Sequence, residues 1–355
     1  MKKTHREKGR VRKVAAAIMI AVGSLLMTGC GSENTNITQG MKQIQELNYQ
    51  AALTSFEEAA KLKENGKLLY RGEGIAYMGM TKYEEAVESF KKALTYSDGW
   101  VEEVDYDINL YLAAALTKAG DYPEAEEVYD AILAMRPENE EALFLRGNVR
   151  LRQGNYKNGK ADFDEVVRLD GENFDRLIEM YEILETYGYK DAGQGYLTDA
   201  LQIYENKMSK YDKGRMYFYM GDYQKAYLAL EEAKDQKGVE AYLYLGKAYE
   251  ATGDYNYASS VYNSYLAKNK ADARIYNQLG ICEMQKEQYA KALDAFQKGL
   301  EAGDKSVQQS LQFNEIVAYE HMGEYKKAAV VMQAYLQTYP DDEIAKREYD
   351  FLATR

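Results

Sequence analysis

Residues 245–258 read LGKAYEATGDYNYA, and 34 residues later, at 279–292, the chain reads LGICEMQKEQYAKA. A returning phrase constrains a fold tightly, because each copy must adopt the same local structure and bury its apolar side against its neighbours. The pattern recurs in GEGIAYMGMTKYEEAVESFKKAL (72–94), LAAALTKAGDYPEAEEVYDAIL (112–133), RGNVRLRQGNYKNGKADFDEVV (146–167), KGRMYFYMGDYQKAYLALEEA (213–233) and NEIVAYEHMGEYKKAAVVMQAYL (314–336). A first copy is visible mainly through LNYQAALTSFEEAA (47–60), and MYEILETYGYKDAGQGYLTDAL (180–201) is a poorer one, which makes nine units. Measured at one position (Gly40, Gly74, Ala113, Gly147, Tyr181, Gly214, Gly246, Gly280 and Ile316) the intervals are 34, 39, 34, 34, 33, 32, 34 and 36 residues.

Each unit reads as two antiparallel helices. The chain is 46% hydrophobic with three prolines, enough for a large core and too little proline for a loop-rich fold. Gly246 and Ala258 lack bulky side chains, so the two helices of their unit can approach closely. Gly253-Asp254 supplies the turn, since glycine tolerates a positive φ. Tyr249, Tyr255 and Tyr262 then fall on one side of the hairpin and fill the seam to its neighbours. One hairpin cannot bury its own apolar face, so hairpins must stack. After Pro340, residues 341–355 (DDEIAKREYDFLATR) read as a closing helix with a polar outer face.

The unit resembles the tetratricopeptide repeat, a 34-residue helix-turn-helix with a small residue in its first helix, alanine in its second and often a closing proline. Here these are Gly74 with Ala86 and Ala93, Gly246 with Ala258, Gly280 with Ala292, and the closing Pro137 and Pro340. The resemblance covers residues 38–340 and implies an all-α solenoid, a right-handed superhelix whose first helices line a concave groove. Carrying the family's groove positions across gives Arg71, Tyr111, Lys118, Phe144, Asn148 and Arg152 in units two to four. Units six and seven give Tyr211, Arg215, Phe218, Tyr219, Tyr244 and Lys247, and the last two give Arg274, Asn277, Phe313 and Asn314. Several of these are expected simply to pack between helices. The set of lysines and asparagines with which some repeat proteins clamp a C-terminal carboxylate is not matched, because Phe144 occupies a lysine position beside Asn148.

Departures from the pattern carry their own expectations. Gly159 and Gly193 replace the second-helix alanine, and Tyr181 stands where a small residue belongs. A helical glycine costs about 1 kcal/mol relative to alanine, so the weakest seam is expected between residues 155 and 205. The insertion TYSDGWVEEVDYD, 95–107, holds the only tryptophan. Trp100 is expected to pack over a repeat junction.

Residues 1–29 read as a targeting segment: seven bases and one acid lead into an uncharged run of 15 residues, shorter than a membrane span. MTGC, residues 27–30, resembles the lipobox of bacterial lipoproteins, with Met27 where leucine is usual. The resemblance implies cleavage before Cys30, lipid on its sulfur, a polar tether to residue 37, and an address on the extracytoplasmic face of a bacterial membrane. Removal of the segment takes the net charge from −12 to −18, which repels nucleic acid. Cys282 then remains as the one free thiol, and no intrachain disulfide forms.

Catalytic components are sparse. Beyond the targeting segment His321 is the only imidazole, expected on a helix surface, so neither a histidine relay nor a zinc pair can be assembled. DYDINL, 105–110, imitates the start of a calcium loop, but Leu110 stands where the turn glycine is required. Cys282, two residues after Gly280, reads as a buried inert thiol. No catalytic residue, metal or cofactor is expected. The reading that results is a non-catalytic, membrane-anchored scaffold binding a protein or peptide segment in its groove; the alternative is capture of an extracytoplasmic peptide or glycan for uptake or envelope assembly.

Overall fold

The computed structural model describes residues 34–355; the targeting segment and Cys30 lie outside the described residues. Nineteen helices and no strand are found among the described residues. The described residues divide into two compact units, the first ending at Tyr196 and the second running Leu197–Arg355. In the first, α1 (Thr35–Gln45) pairs with α2 (Tyr49–Lys61), α3 (Gly66–Gly79) with α4 (Tyr83–Leu94), α5 (Glu103–Ala119) with α6 (Tyr122–Met135), and α7 (Glu140–Arg152) with α8 (Tyr156–Leu169). Then come α9 (Phe174–Thr186) and α10 (Lys190–Ile203), within which the division falls. The second unit continues with α11 (Lys210–Met220) and α12 (Tyr223–Lys237), α13 (Val239–Ala251) and α14 (Tyr255–Lys268), and α15 (Ala273–Gln285) and α16 (Tyr289–Glu301). It closes with α17 (Lys305–His321), α18 (Tyr325–Thr338) and the single helix α19 (Glu343–Leu352).

The same local geometry repeats in every hairpin. Seven residues after the small-residue position the backbone turns left-handed, at Leu47, Thr81, Gly120, Gly154, Gly188, Gly221, Gly253, Glu287 and Gly323. That residue ends the first helix. In four hairpins the aspartate or asparagine that follows caps the second helix with its side chain: Asp121 accepts from the Glu124 amide, Asn155 from Asn158, Asp222 from Lys225 and Asp254 from Tyr257. Twelve residues after the small residue, Ala52, Ala86, Ala125, Ala226, Ala258, Ala292 and Ala328 are fully buried. Sixteen residues after it, a large side chain fills the space above it. A β-carbon built on Gly40 would lie 2.5 Å from the Phe56 ring, on Gly74 2.6 Å from Phe90, on Gly147 2.7 Å from Phe163 and on Gly214 2.5 Å from Leu230. Each glycine is therefore a socket for the opposite helix, and each buried phenylalanine or leucine contributes about 1.5–3 kcal/mol of apolar burial.

The two departures in the middle of the chain have a packing reason. A β-carbon on Gly159 would meet the Gly147 carbonyl oxygen at 2.9 Å, and one on Gly193 would meet the Tyr181 Cα at 3.0 Å. Glycine is required there by close approach, and at Tyr181, itself buried, the bulky and small partners have exchanged helices.

Two expectations are corrected. Trp100 does not cover a repeat junction; it is 81% exposed. Tyr96 takes that place, packing on Gly66 and against the Tyr70 ring at 5.7 Å, while buried Lys67 ties down Glu102 and Asp105. The inserted segment is thus pinned at its base and presents the tryptophan at its tip. The tether is also shorter than expected, since α1 starts at Thr35. Glu64 accepts the backbone amides of Asn36 and Ile37 at 3.1 and 3.0 Å, which satisfies donors that a helix start otherwise leaves open.

Candidate functional site

First helices of successive hairpins touch in both units: α1 on α3, α3 on α5 and α5 on α7 in the first, α11 on α13, α13 on α15 and α15 on α17 in the second. Side chains about one repeat apart in sequence therefore share a face, and many of them tie those helices together. Arg71 is ion-paired to buried Asp107 across α3 and α5 and faces the Tyr111 ring at 5.6 Å. Arg274 on α15 pairs with Glu240 on α13 at 2.5 Å and with Asp272. Asn314 donates to Asn277 at 2.9 Å. Tyr111 stacks on Phe90 at 5.6 Å, and Phe313 packs edge-on against Tyr335 at 5.8 Å.

Three candidates are buried in the free chain and offer no surface to a partner. Phe144 is 2% exposed, stacked on Phe163 and covered by the Arg176 guanidinium 3.9 Å above its ring. Arg176, which the sequence reading missed, is held there by Glu140, Glu141 and Glu179. Arg215 is 9% exposed, bonded to Asp212 at 2.7 Å and laid over the Tyr211 ring at 4.6 Å; Asn277 is 8% exposed. A one-dimensional pattern carries no information about the side chains that cover these residues in the folded chain.

The remaining candidates form two groups. In the second unit Tyr211, Phe218 and Tyr219 on α11 meet Tyr244 on α13 and Tyr223 on α12. Phe218 lies edge-on to Tyr219, Tyr244 and Tyr223 at 5.4, 5.6 and 6.0 Å, Tyr211 to Tyr244 at 6.1 Å, and the Tyr219 and Tyr244 hydroxyls are 3.3 Å apart. Lys247 Nζ stands 6.0 Å from the Tyr244 ring and Lys237 Nζ 5.7 Å from that of Tyr211. All five rings are partly exposed, so the cluster is an aromatic surface edged by cations. In the first unit Lys118 ends α5, and Asn148 and Arg152 sit one turn apart on α7. Arg152 lies 5.8 Å from the Tyr122 ring, and burial together with the neighbouring guanidinium holds the Lys118 ammonium below its ordinary value.

Buried titratable groups elsewhere are enclosed. The Tyr262 hydroxyl donates to Glu250 at 2.5 Å, burial raises the Glu250 carboxyl above its usual range, and burial and that carboxyl raise the Cys282 thiol. His321 is exposed and stacks on Tyr289 at 4.9 Å. Asp105 and Asp107 of the calcium-like stretch lie within α5, bound to Lys67 and Arg71. Among the described residues no cluster of three or more histidine, cysteine or acidic side chains is arranged for a metal, and no helix is long and apolar enough to cross a membrane.

These repeated sockets and turns define a helical-hairpin repeat protein. The tetratricopeptide repeat model matches residues 71–140, 112–174, 245–307 and 284–343, together more than half of the chain, and the chain belongs to that family. It is 25% identical over 247 residues to a TPR repeat-containing protein of Methanocaldococcus jannaschii, a match covering 65% of this chain and 42% of that one. It is 24% identical over 127 residues, 35% of its length, to the Arabidopsis thaliana peptidyl-prolyl cis-trans isomerase PASTICCINO1, of which the match covers 19%. The chain thus spans less than half the length of these relatives. A solved tetratricopeptide repeat protein from Parabacteroides merdae is similar with a TM-score of 0.46 and 14% identity, over 71% of this chain and 98% of that one.

Proposed function

We propose that this chain is a non-catalytic scaffold, anchored through lipid on Cys30 at the extracytoplasmic face of a bacterial membrane, that holds a polypeptide segment on its first-helix faces. One observation carries the reading: Tyr211, Phe218, Tyr219 and Tyr244 gather on adjacent first helices as a partly exposed aromatic surface edged by Lys247. Tyrosines of this kind bury large area at small entropic cost, and aromatic and basic side chains dominate binding energy at protein interfaces. Tetratricopeptide repeat proteins are in general scaffolds for such contacts. Partner recovered from intact membranes and titrated against Tyr219→Ala and Lys247→Ala tests this, with circular dichroism run on each variant. We expect roughly tenfold weaker binding with the helical signal and melting retained. Normal binding by both variants, with binding abolished by Lys291→Glu and Lys326→Glu on the second helices, overturns it. Fatty-acid labelling that persists in Cys30→Ala would refute the anchor separately.

A further inference from the structure

Among the first unit's described residues the exposed large apolar side chains are Leu47, Leu62, Tyr96, Trp100, Val101 and Met135. All but Leu47 stand at the junctions where one hairpin passes to the next, and contacts join those junctions into one continuous edge. Asn34 accepts the Asn65 amide at 3.0 Å and Glu64 holds Asn36 and Ile37, so the connection from α2 to α3, with Leu62, lies beside the start of α1. Tyr96 packs on Gly66, the first residue of α3, while Lys67 reaches Glu102 and Asp105 at 3.0 and 3.1 Å. Arg136 pairs with Glu103 and lies 3.4 Å from the Tyr106 ring, and the Tyr106 hydroxyl meets the Met135 sulfur at 3.8 Å, which brings the next junction onto the same edge. Trp100 is the most exposed of the set. Gly99, at φ 93°, turns the backbone beside it, and Asp98 accepts the Trp100 amide at 3.1 Å, so that peptide donor is satisfied within the turn.

A row of exposed apolar side chains calls for an apolar counterpart, and the position of Cys30 selects one. Cys30 precedes Asn34 by four residues, and four residues span at most about 14 Å. Lipid on that sulfur would hold this edge at the bilayer, whereas Leu47 lies at the far end of the 11-residue α1, about 16 Å further away. The acids flanking the tip are engaged, Glu102 by Lys67 and Glu103 by Arg136. The edge therefore presents rings and aliphatic groups with little unpaired charge, the chemistry of the boundary between headgroups and acyl chains where tryptophan and tyrosine collect. The chain's net charge of −12 gives anionic headgroups no attraction for it.

We propose that Trp100, with Val101, Tyr96 and Leu62 along the same edge, is a second membrane contact that enters the headgroup boundary of the bilayer carrying the Cys30 lipid and fixes the orientation of the first unit on it. Lipid on one residue sets the distance from the membrane but leaves the repeats free to rotate; a second contact removes that freedom. The inference rests on the lipid anchor of the proposed function.

The test uses the lipidated chain isolated from membranes and placed in phosphatidylcholine vesicles, with Trp100 as its only indole. Flotation with the vesicles scores the anchor. Phosphatidylcholine brominated on its acyl chains and aqueous acrylamide then report the two sides of the interface, and Leu47→Trp in a Trp100→Phe background moves the indole to the opposite edge. Circular dichroism checks that each variant folds. In the floated chain Trp100 should emit at shorter wavelength than in the lipid-free Cys30→Ala chain, be quenched by brominated lipid and lose most of its quenching by acrylamide. The indole at position 47 should stay hydrated. Val101→Asp should weaken the brominated-lipid quenching of Trp100 without reducing flotation, and phosphatidylglycerol in the vesicles should not strengthen it. A chain that floats while Trp100 stays hydrated overturns the contact and leaves the anchor standing. A chain that does not float overturns the anchor and the inference together. Equal brominated-lipid quenching at both positions overturns the fixed orientation. A blue shift on native membranes but not on protein-free vesicles assigns the tip to a protein partner and overturns the bilayer contact.

Discussion

The Tyr262 side chain passes directly over Gly246: a β-carbon at Gly246 would stand 2.5 Å from the tyrosine hydroxyl oxygen, which is itself hydrogen-bonded to Glu250 on the same helix as the glycine. The close approach and the bond depend on each other. Gly246→Ala should therefore destabilise the chain, by about 1–3 kcal/mol, because the ring cannot move aside without leaving the buried carboxyl. Gly195, also helical, meets nothing within 4 Å, and Gly195→Ala should stabilise by up to about 1 kcal/mol. Urea unfolding of the two variants gives opposite signs; a common sign would mean that the crossing geometry is not what selects glycine.

Three turns lack the glycine that the other six use. Leu47, Thr81 and Glu287 hold φ of 59°, 60° and 58°, the left-handed region disfavoured for residues with a β-carbon. Glu287 is exposed, so Glu287→Gly changes little besides backbone strain and should raise stability by about 0.5–1 kcal/mol. Thermal unfolding decides it, and a lower Tm in the variant would show that the turn is held by contacts of the glutamate itself.

How far the fold was legible follows from which signals repeat. Gly246, Ala258 and Gly253 recur with fixed spacing because one hairpin geometry demands them, and that was enough to read the all-α repeat fold. Asp254 and Asn155 were readable as turn residues, and their caps follow from the same local chemistry. What singular contacts decide was not legible. Phe144 stands at a first-helix position, yet Arg176 on a later helix covers it; Arg71 and Arg274 look like free groove cations until Asp107 and Glu240 are placed beside them. Lys118 and Arg152 look no different in sequence from Arg71 and Arg274, and only the three-dimensional neighbours show that neither makes an ion pair among the described residues. Thr35 starts a helix inside an apparent tether because of one distant carboxylate, that of Glu64.

Trp100 offers a direct optical check on the inserted segment. It is the only tryptophan, so steady-state fluorescence reports that site alone. An indole 81% exposed should emit as a fully hydrated chromophore and be quenched by acrylamide in the folded chain nearly as well as in urea. Trp100→Ala should leave Tm within about a degree, because substitutions at exposed positions usually change stability by less than 0.5 kcal/mol. A blue-shifted, protected emission would place the indole over a repeat junction after all.

Glu320 on α17 gives the last hairpin a pH dependence whose sign can be worked out. Burial and the negative charge of Glu348 on α19 raise its carboxyl from 4.5 to about 7. Below pH 4.5 the group is protonated in both folded and unfolded chains and costs nothing. Between 4.5 and 7 the folded chain keeps a proton that the unfolded chain has released, so stability falls as pH rises through this window. Above 7 both states are ionised and the full penalty persists. Glu320→Gln should remove this contribution, with little effect at pH 4 and a gain of about 1 kcal/mol at pH 8 once solvent screening of a partly exposed group is allowed for. Glu250, also raised by burial, contributes a slope of the same sign, so the informative quantity is the difference between variant and wild type across the titration. Denaturant unfolding at half-unit pH steps measures it; a difference that does not vary with pH would mean that Glu320 titrates alike in both states and that its proximity to Glu348 exerts no force on the capping helix.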